Sequence, residues 1–252
     1  MCGIVGYVST PNGNKSGSEL AEHDALRVIV EGLRRLEYRG YDSAGVAVAQ
    51  HGTIACRKKA GKVADLEAAV EAAPLAASNL GIGHTRWATH GGPTDVNAHP
   101  HVIGDGQLAV VHNGIIENFA ALRGDLEAKG YSFVSETDTE VAGTLLFDVY
   151  VNETDADLTQ AMQLTAQRLE GAFTLLAIHA DHPDRIVAAR WNSPLVVGVG
   201  EGENFLSSDV SGFIEFTRDA VELDNGQIVT LTADGYEVTT FTGEPAEATP
   251  FR

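Results

Sequence analysis

The chain has 252 residues, enough for one large domain or two small ones with a substantial core. Its 35 acidic and 17 basic side chains leave a net charge of −18, a surface that repels nucleic-acid phosphates and anionic membranes, so neither is expected as a partner. No signal-type stretch follows Met1, no apolar run reaches the length of a membrane span, and two cysteines are too few for a disulfide framework, all of which points to the cytoplasm.

Residues 4–8 predict a buried strand, and 11–18 a polar loop with nothing to bury. Leu26, Ile29, Val30 and Leu33 recur at helix spacing within a helix predicted over 20–36. Strands follow at 44–49 and 53–57, with His51-Gly52 at the turn, then a helix over 63–72 that ends before Pro74. Short strands at 82–84 and 108–112 bracket an aperiodic Gly/His/Pro-rich stretch, and loops of that length inside a compact domain are usually functional. Helices are predicted over 117–129, 139–150 and 158–169, the first closed by Gly130. From residue 172 onward the pattern is strand: 172–178, 186–189, 195–199, 204–207, 227–232 and 236–241. The tail, 243–250, has linker composition. Many strands with two separated helix groups, no βαβ alternation and no internal repeat predict two packed sheets with helices outside, an α+β sandwich. Gly198, Gly200 and Gly202 resemble a dinucleotide loop, but no apolar-periodic helix follows, so no dinucleotide cofactor is expected.

The chemistry starts at Cys2. Initiator methionine is commonly trimmed before a small residue, which would leave a thiol on the residue that carries the free α-amine. The amine titrates near ~8 and the thiol near ~8.5, so the two can exchange a proton around neutral pH. Nucleophile and base then share one residue, the cysteine counterpart of the threonine/N-terminal-amine pairing. A retained Met1 would turn that amine into a non-basic amide. The bland alternative is a small buried cysteine opening a strand, and Cys56, inside a predicted strand, reads that way.

A thiol nucleophile needs donors aimed at a developing oxyanion. Asn113-Gly114 offers an amide side chain and an N–H unshielded by a Cβ, at the end of a predicted strand, although the pair is more often a simple turn. Arg86 presents a fork that matches a carboxylate, with a surface ion pair as its ordinary role. Asp138 lies in Thr137-Asp138-Thr139-Glu140, a capping-box pattern that explains it as a helix start. Together, Arg86 and Asp138 would bracket a zwitterionic α-amino acid. Five of nine histidines, His84, His90, His99, His101 and His112, crowd the middle third. Their spacings match no familiar metal motif and no cysteine lies nearby, so no metal is expected.

Read jointly, these segments carry a resemblance. Cys2-Gly3-Ile4-Val5-Gly6, Tyr38 through Gly45, His84 through Gly91, Asn97-Ala98-His99-Pro100-His101, His112 through Asn118 and Ser135 through Val141 closely resemble the glutaminase domains of glutamine–fructose-6-phosphate aminotransferases, a branch of the class II glutamine amidotransferases. The resemblance covers essentially the whole chain. It implies a four-layer α-β-β-α fold of the N-terminal nucleophile hydrolase type, with residues 1–241 as the glutaminase domain and 242–252 as a linker toward an absent isomerase half. It further implies hydrolysis of L-glutamine to glutamate and ammonia through a thioester on Cys2, with no cofactor. Asn113 and Gly114 would form the oxyanion hole, Arg86 and Thr89 would take the glutamine carboxylate, and Asp138 its α-ammonium. Trp87 and His90 would belong to a loop that closes over substrate, with Gly91-Gly92 giving it backbone freedom. The parent enzyme would pass the ammonia to fructose 6-phosphate and act as a homodimer. The rival expectations are another amidohydrolase of the same fold, or a non-catalytic glutamine-binding module.

Overall fold

The computed structural model describes residues 2–10, 24–88 and 91–251. The polar loop at 11–18, the first residues of the helix predicted from 20, and Thr89 and His90 lie outside them, wholly or in part. Among the described residues the strands form two antiparallel sheets. In chain order the elements are β1 (Gly3–Ser9), α1 (Ala25–Leu36), β2 (Ser43–Gln50), β3 (Thr53–Ala60), α2 (Val63–Ala72) and β4 (Leu80–Arg86), then β5 (His101–Ile103), β6 (Leu108–Ile116), α3 (Phe119–Ala128), α4 (Asp138–Asn152) and α5 (Leu158–Ala166). The rest is strand: β7 (Gly171–His179), β8 (His182–Trp191), β9 (Val196–Val199), β10 (Glu203–Ser207), β11 (Asp219–Glu222), β12 (Gln227–Thr232), β13 (Gly235–Thr240) and β14 (Thr249–Phe251). The larger sheet runs β14-β11-β9-β10-β1-β4-β2-β3 and the smaller β13-β12-β8-β7-β6-β5.

Strand alternation builds the layers. In β1, Ile4 and Val8 point between the sheets, where they join Ala109, Val111, Leu176 and Ile178 of the smaller sheet. Val5 and Tyr7 point the other way, into a core with Ile29 and Leu33 of α1 and Leu66 of α2. In β6, Leu108 and Val110 face Val141, Leu145 and Met162 of α4 and α5. Both sheets are therefore buried on both faces, and the order is helices, sheet, sheet, helices, as expected from the sequence. Burying a Leu or Ile side chain contributes about 1.5–3 kcal/mol, so three such cores hold the sandwich against the chain entropy.

Several details differ from the sequence reading. The strand predicted to stop at His112 continues to Ile116, with Asn113 opposite Thr174 and Gly114 opposite Phe173, so Asn113-Gly114 is a strand interior and no turn. Two short strands, β5 and β11, were not expected; three and four residues are too few to show a period. Gly198 is a paired residue of β9, and Gly200 and Gly202 lie in the connection of the β9–β10 hairpin, with Gly200 N bonded to Glu203 O. The tail of linker composition is strand-paired here: β14 pairs with β11, Ala246 N donates to Val238 O, and Gln227 donates to Glu247 O at 2.8 Å. The open edge of β11 supplies the partners that the tail's composition does not reveal.

Candidate active site

Cys2 precedes β1, the strand paired on one side with β4 and on the other with β10. That central position fixes the residue firmly: Gly3 N donates to Thr85 Oγ1 at 3.1 Å, Ile4 N to Ser208 Oγ at 3.0 Å, and Ser207 Oγ to Ile4 O at 3.0 Å. A Cβ on Gly3 would stand 2.6 Å from Thr85 Oγ1 and 2.7 Å from Leu36 Cβ, so only glycine lets β1 enter here. The Cys2 sulfur accepts a hydrogen bond from Trp87 N at 3.1 Å. Burial pushes the thiol up from its ordinary value, opposed by that hydrogen bond and by the Arg86 charge. A proton acceptor is thus needed before the sulfur can act.

From the facing sheet, Asn113 reaches across. Its Nδ2 donates to Cys2 O at 3.1 Å and its Oδ1 lies 2.9 Å from His84 Nε2. Alternation explains the reach: Ala109, Val111 and Asn113 share the inter-sheet face of β6, while His112 points to α4 and meets Thr139 Oγ1 at 3.0 Å. Gly114 follows with φ +122°, and a Cβ there would lie 1.9 Å from Ala172 O.

Cys2, Asn113, Gly114, Arg86, Trp87 and Asp138 all line one cavity of about 410 Å³, together with Arg39, His99 and the Asn192–Pro194 turn after β8. Arg86, 4% exposed, ends β4. Its Nη1 and Nη2 donate to Gly92 O and Gly91 O at 3.2 and 3.1 Å, and Asp42 stands 4.0 Å away. These contacts tie the guanidinium, which has five N–H donors, to the 91–92 backbone. Asp138 opens α4, where Thr137 caps the helix by accepting from Glu140 N at 3.2 Å. The capping box of the sequence reading is only half made: Glu140 turns to the N–H groups of Val134 and Ser135, and Thr137 N goes to Ser135 Oγ. Asp138 Oδ2 accepts from Ile116 N at 2.9 Å, which ties the helix start to the end of β6 beside Gly114.

The buried histidines support this arrangement as hydrogen-bonding and stacking groups. His101 Nε2 meets Thr137 Oγ1 at 2.9 Å, and His99 lies between the rings of His84 and His101, with centroids 4.4 and 5.2 Å away. Burial pushes His84 down to about 3, and His99 and His101 well below the usual imidazole range. Among the described residues no three His, Cys, Asp or Glu side chains are grouped to hold a metal ion. Cys56 packs, partly buried, against the inter-sheet core beside Pro100, its thiol pushed up to about 11 by burial.

Sequence reasoning gave no role to Arg39, Asp42, Asn97 and the Asn192–Pro194 turn. Arg39 lines the cavity and pairs with Asp209 at 3.3 Å. Asp42 accepts from Ala88 N, and Arg86 O accepts from Asp42 N at 2.7 Å, which fastens the Arg86–Ala88 backbone. Asn97 joins Gly92 O to Glu136 through its side-chain amide. Arg39 and Asp42 lie in the Tyr38–Gly45 segment that carries part of the resemblance; nothing local marks Asn192.

Comparison with known proteins agrees with the fold. The profile of the glutamine amidotransferase domain matches residues 84–215. The chain is 69% identical to the isomerizing glutamine–fructose-6-phosphate aminotransferase of Corynebacterium efficiens over 251 residues, which are 100% of this chain and 39% of that protein. It is 58% identical to the Streptomyces coelicolor enzyme of the same name, over 98% of this chain and 38% of that one. The chain thus spans about two fifths of the length of these curated relatives. Among solved structures, the glutamine phosphoribosylpyrophosphate amidotransferase from B. subtilis superposes with a TM-score of 0.76 at 21% identity, over 97% of this chain and 50% of that chain, a likeness of fold. With the profile matching more than half the chain and the fold shared with a solved amidotransferase, the chain belongs to the glutamine amidotransferase family.

Proposed function

We propose that this chain hydrolyses L-glutamine to L-glutamate and ammonia, with the Cys2 sulfur as nucleophile. The observation that carries the reading is the 3.1 Å hydrogen bond from Asn113 Nδ2 to Cys2 O, made inside the cavity that Arg86 and Asp138 also line. Once Met1 is removed, the α-amine of Cys2 takes the thiol proton and the sulfur attacks the γ-carboxamide carbon. Charge develops on the former carbonyl oxygen, where the second Nδ2–H of Asn113 and the Gly114 N–H stabilise it. The C–N bond breaks as the amine returns its proton to the departing ammonia, leaving a γ-glutamyl thioester. Water, activated by the same amine, then releases glutamate.

Arg86 and Thr89 hold the substrate carboxylate and Asp138 its α-ammonium, so an amino acid with both groups is selected. Trp87 and His90 belong to the segment that covers it, and the Arg86 bonds to Gly91 O and Gly92 O couple the covering loop to the carboxylate site. In the longer protein of which relatives at 69% identity are examples, this chain supplies ammonia for making glucosamine 6-phosphate from fructose 6-phosphate. Residues 1–241 are then the glutaminase domain, and 242–252 a linker toward an isomerase half in a cytoplasmic homodimer. A coupled assay for ammonia on Met1-trimmed protein tests the reading. Glutamine is expected to release ammonia, and Cys2→Ala to release none; turnover by Cys2→Ala, or hydrolysis of amides lacking the α-amino and α-carboxyl groups at equal rate, overturns it.

A further inference from the structure

The orientation of the Asn113 amide is decided from behind, by a residue that never meets the cavity. Asn113 offers one amide atom to Cys2 O at 3.1 Å and the other to His84 Nε2 at 2.9 Å. A backbone carbonyl can only accept, so the atom facing Cys2 is the NH2 group and the atom facing His84 is Oδ1. An amide oxygen can also only accept. His84 must therefore carry its hydrogen on Nε2.

We propose that His84, as the neutral Nε2–H tautomer, is a positioning residue that locks the Asn113 amide with one N–H on Cys2 O and the second aimed into the cavity. The inference rests on the reading of Asn113 as an oxyanion donor and names what makes it one. Without the His84 donor, the amide can turn over and present Oδ1 to the developing negative charge, replacing attraction by repulsion.

The surroundings hold the imidazole in this role. His84 is fully buried on β4, opposite Ile4 of β1 and Gly45 of β2, so its backbone is fixed from both sides. The His99 ring packs on it at 4.4 Å with an interplanar angle of 35°. Burial, and the nearby His112 and Arg86, keep the ring unprotonated at neutral pH, so it has a single N–H to place. The outward neighbour Thr85 accepts from Gly3 N, so consecutive β4 residues hold the Cys2–Gly3 peptide from both sides, Thr85 at Gly3 N and His84, through Asn113, at Cys2 O.

The test uses amide replacements at His84 in the whole chain with Met1 removed. The amide nitrogen of His84→Gln falls near the Nε2 position and can still donate to Asn113; that of His84→Asn falls near Nδ1 and cannot. Glutamine kcat is expected within about threefold of the parent for His84→Gln, and lowered roughly 100-fold at unchanged KM for His84→Asn and His84→Leu, the loss typical of one missing oxyanion donor. In an Asn113→Ala background, His84→Leu should cost nothing further. Melting curves accompany each variant, and the Gln–Asn contrast stands even where both lose stability. His84→Leu at parental kcat, His84→Gln as slow as His84→Asn, or additive losses in the double variant each overturn the proposal. Parental kcat in Asn113→Ala alone sinks the reading of Asn113 itself, whereas a crippled Asn113→Ala beside an unimpaired His84→Leu sinks only the role of His84.

Discussion

Gly114→Ala tests whether the backbone beside the thiol is held for chemistry. A Cβ at this position would lie 1.9 Å from Ala172 O and 2.7 Å from its carbonyl carbon, with φ at +122°. Ordinary contact begins at 3.4 Å, so β6 and β7 must separate by about 1.5 Å at this pair. The Ala172 carbonyl belongs to a sheet strand and has no flexible side chain to yield. A backbone region nearly confined to glycine costs about 1–3 kcal/mol and overpacking about 1–3 more, so the variant should lose roughly 2–6 kcal/mol of stability. At about 2–4 °C per kcal/mol for a domain of this size, the melting temperature falls by at least ~4 °C. Displacement of a reacting-site donor by ~1 Å costs about 100-fold in rate, or ~2.7 kcal/mol of barrier. The assay is steady-state ammonia release at saturating glutamine below the melting transition, with Gly235→Ala as control, because a Cβ there meets nothing within 4 Å. Gly114→Ala turning over at the parental kcat would refute the placement of the oxyanion site at this strand position.

Cys2→Ser should retain glutamine binding, read by calorimetry, while kcat collapses, because a serine hydroxyl is far less ionised than a thiol. Arg86→Ala should chiefly raise KM for glutamine, since a missing carboxylate partner is felt in ground and transition states alike; an unchanged KM counts against that assignment. Asp138→Asn keeps an acceptor for Ile116 N and so should stay folded, yet raise KM by about tenfold or more through the lost α-ammonium partner. Stability should fall with acid through the buried histidines. His84 is held at about 3, and His99 and His101 also lie well below 6.5, so between those limits the unfolded chain binds protons that the folded chain refuses. Unfolding free energy then rises with pH across that window, by up to ~1.4 kcal/mol per pH unit for each ring, and the contribution is complete above about pH 6.5. Urea midpoints at pH 7 and pH 5 check this; equal midpoints would mean that the rings are not held neutral.

The sandwich was legible because its strands are buried on both faces and so appear as apolar runs, such as Ile4 to Val8 and Ile228 to Leu231. The helix over Val63–Ala72 was legible to the residue, bounded by Gly61-Lys62 and Pro74. Where chemistry replaces apolar side chains the pattern fails. His112, Asn113 and Gly114 interrupt the β6 run, and Asn-Gly reads as a turn because the dipeptide so often is one. The site residues themselves came from the joint resemblance, which placed Cys2, Arg86, Asn113 and Asp138 before any geometry placed them round one cavity. Alone, each had an ordinary explanation. The Asn192–Pro194 wall and the partners of Arg39 were illegible, since they reach the site from later strands and turns, Ser208 standing 169 residues beyond Arg39, through the sheet order alone.

The central seat of β1 sets a chronology for the newborn protein. Val5 pairs with Ser207, and the backbone of Ile4 is fastened by the hydroxyls of Ser207 and Ser208. At ~5–20 residues per second of synthesis, those clasps emerge roughly 10–40 s after the residues they fasten. Throughout that interval one flank of the first strand has no neighbour, and the sulfur beside it is unmoored. On the proposed reading of Cys2 as nucleophile, its reactivity is thereby postponed until Ser207 and Ser208 have been made, and the first strand waits that long for its second flank.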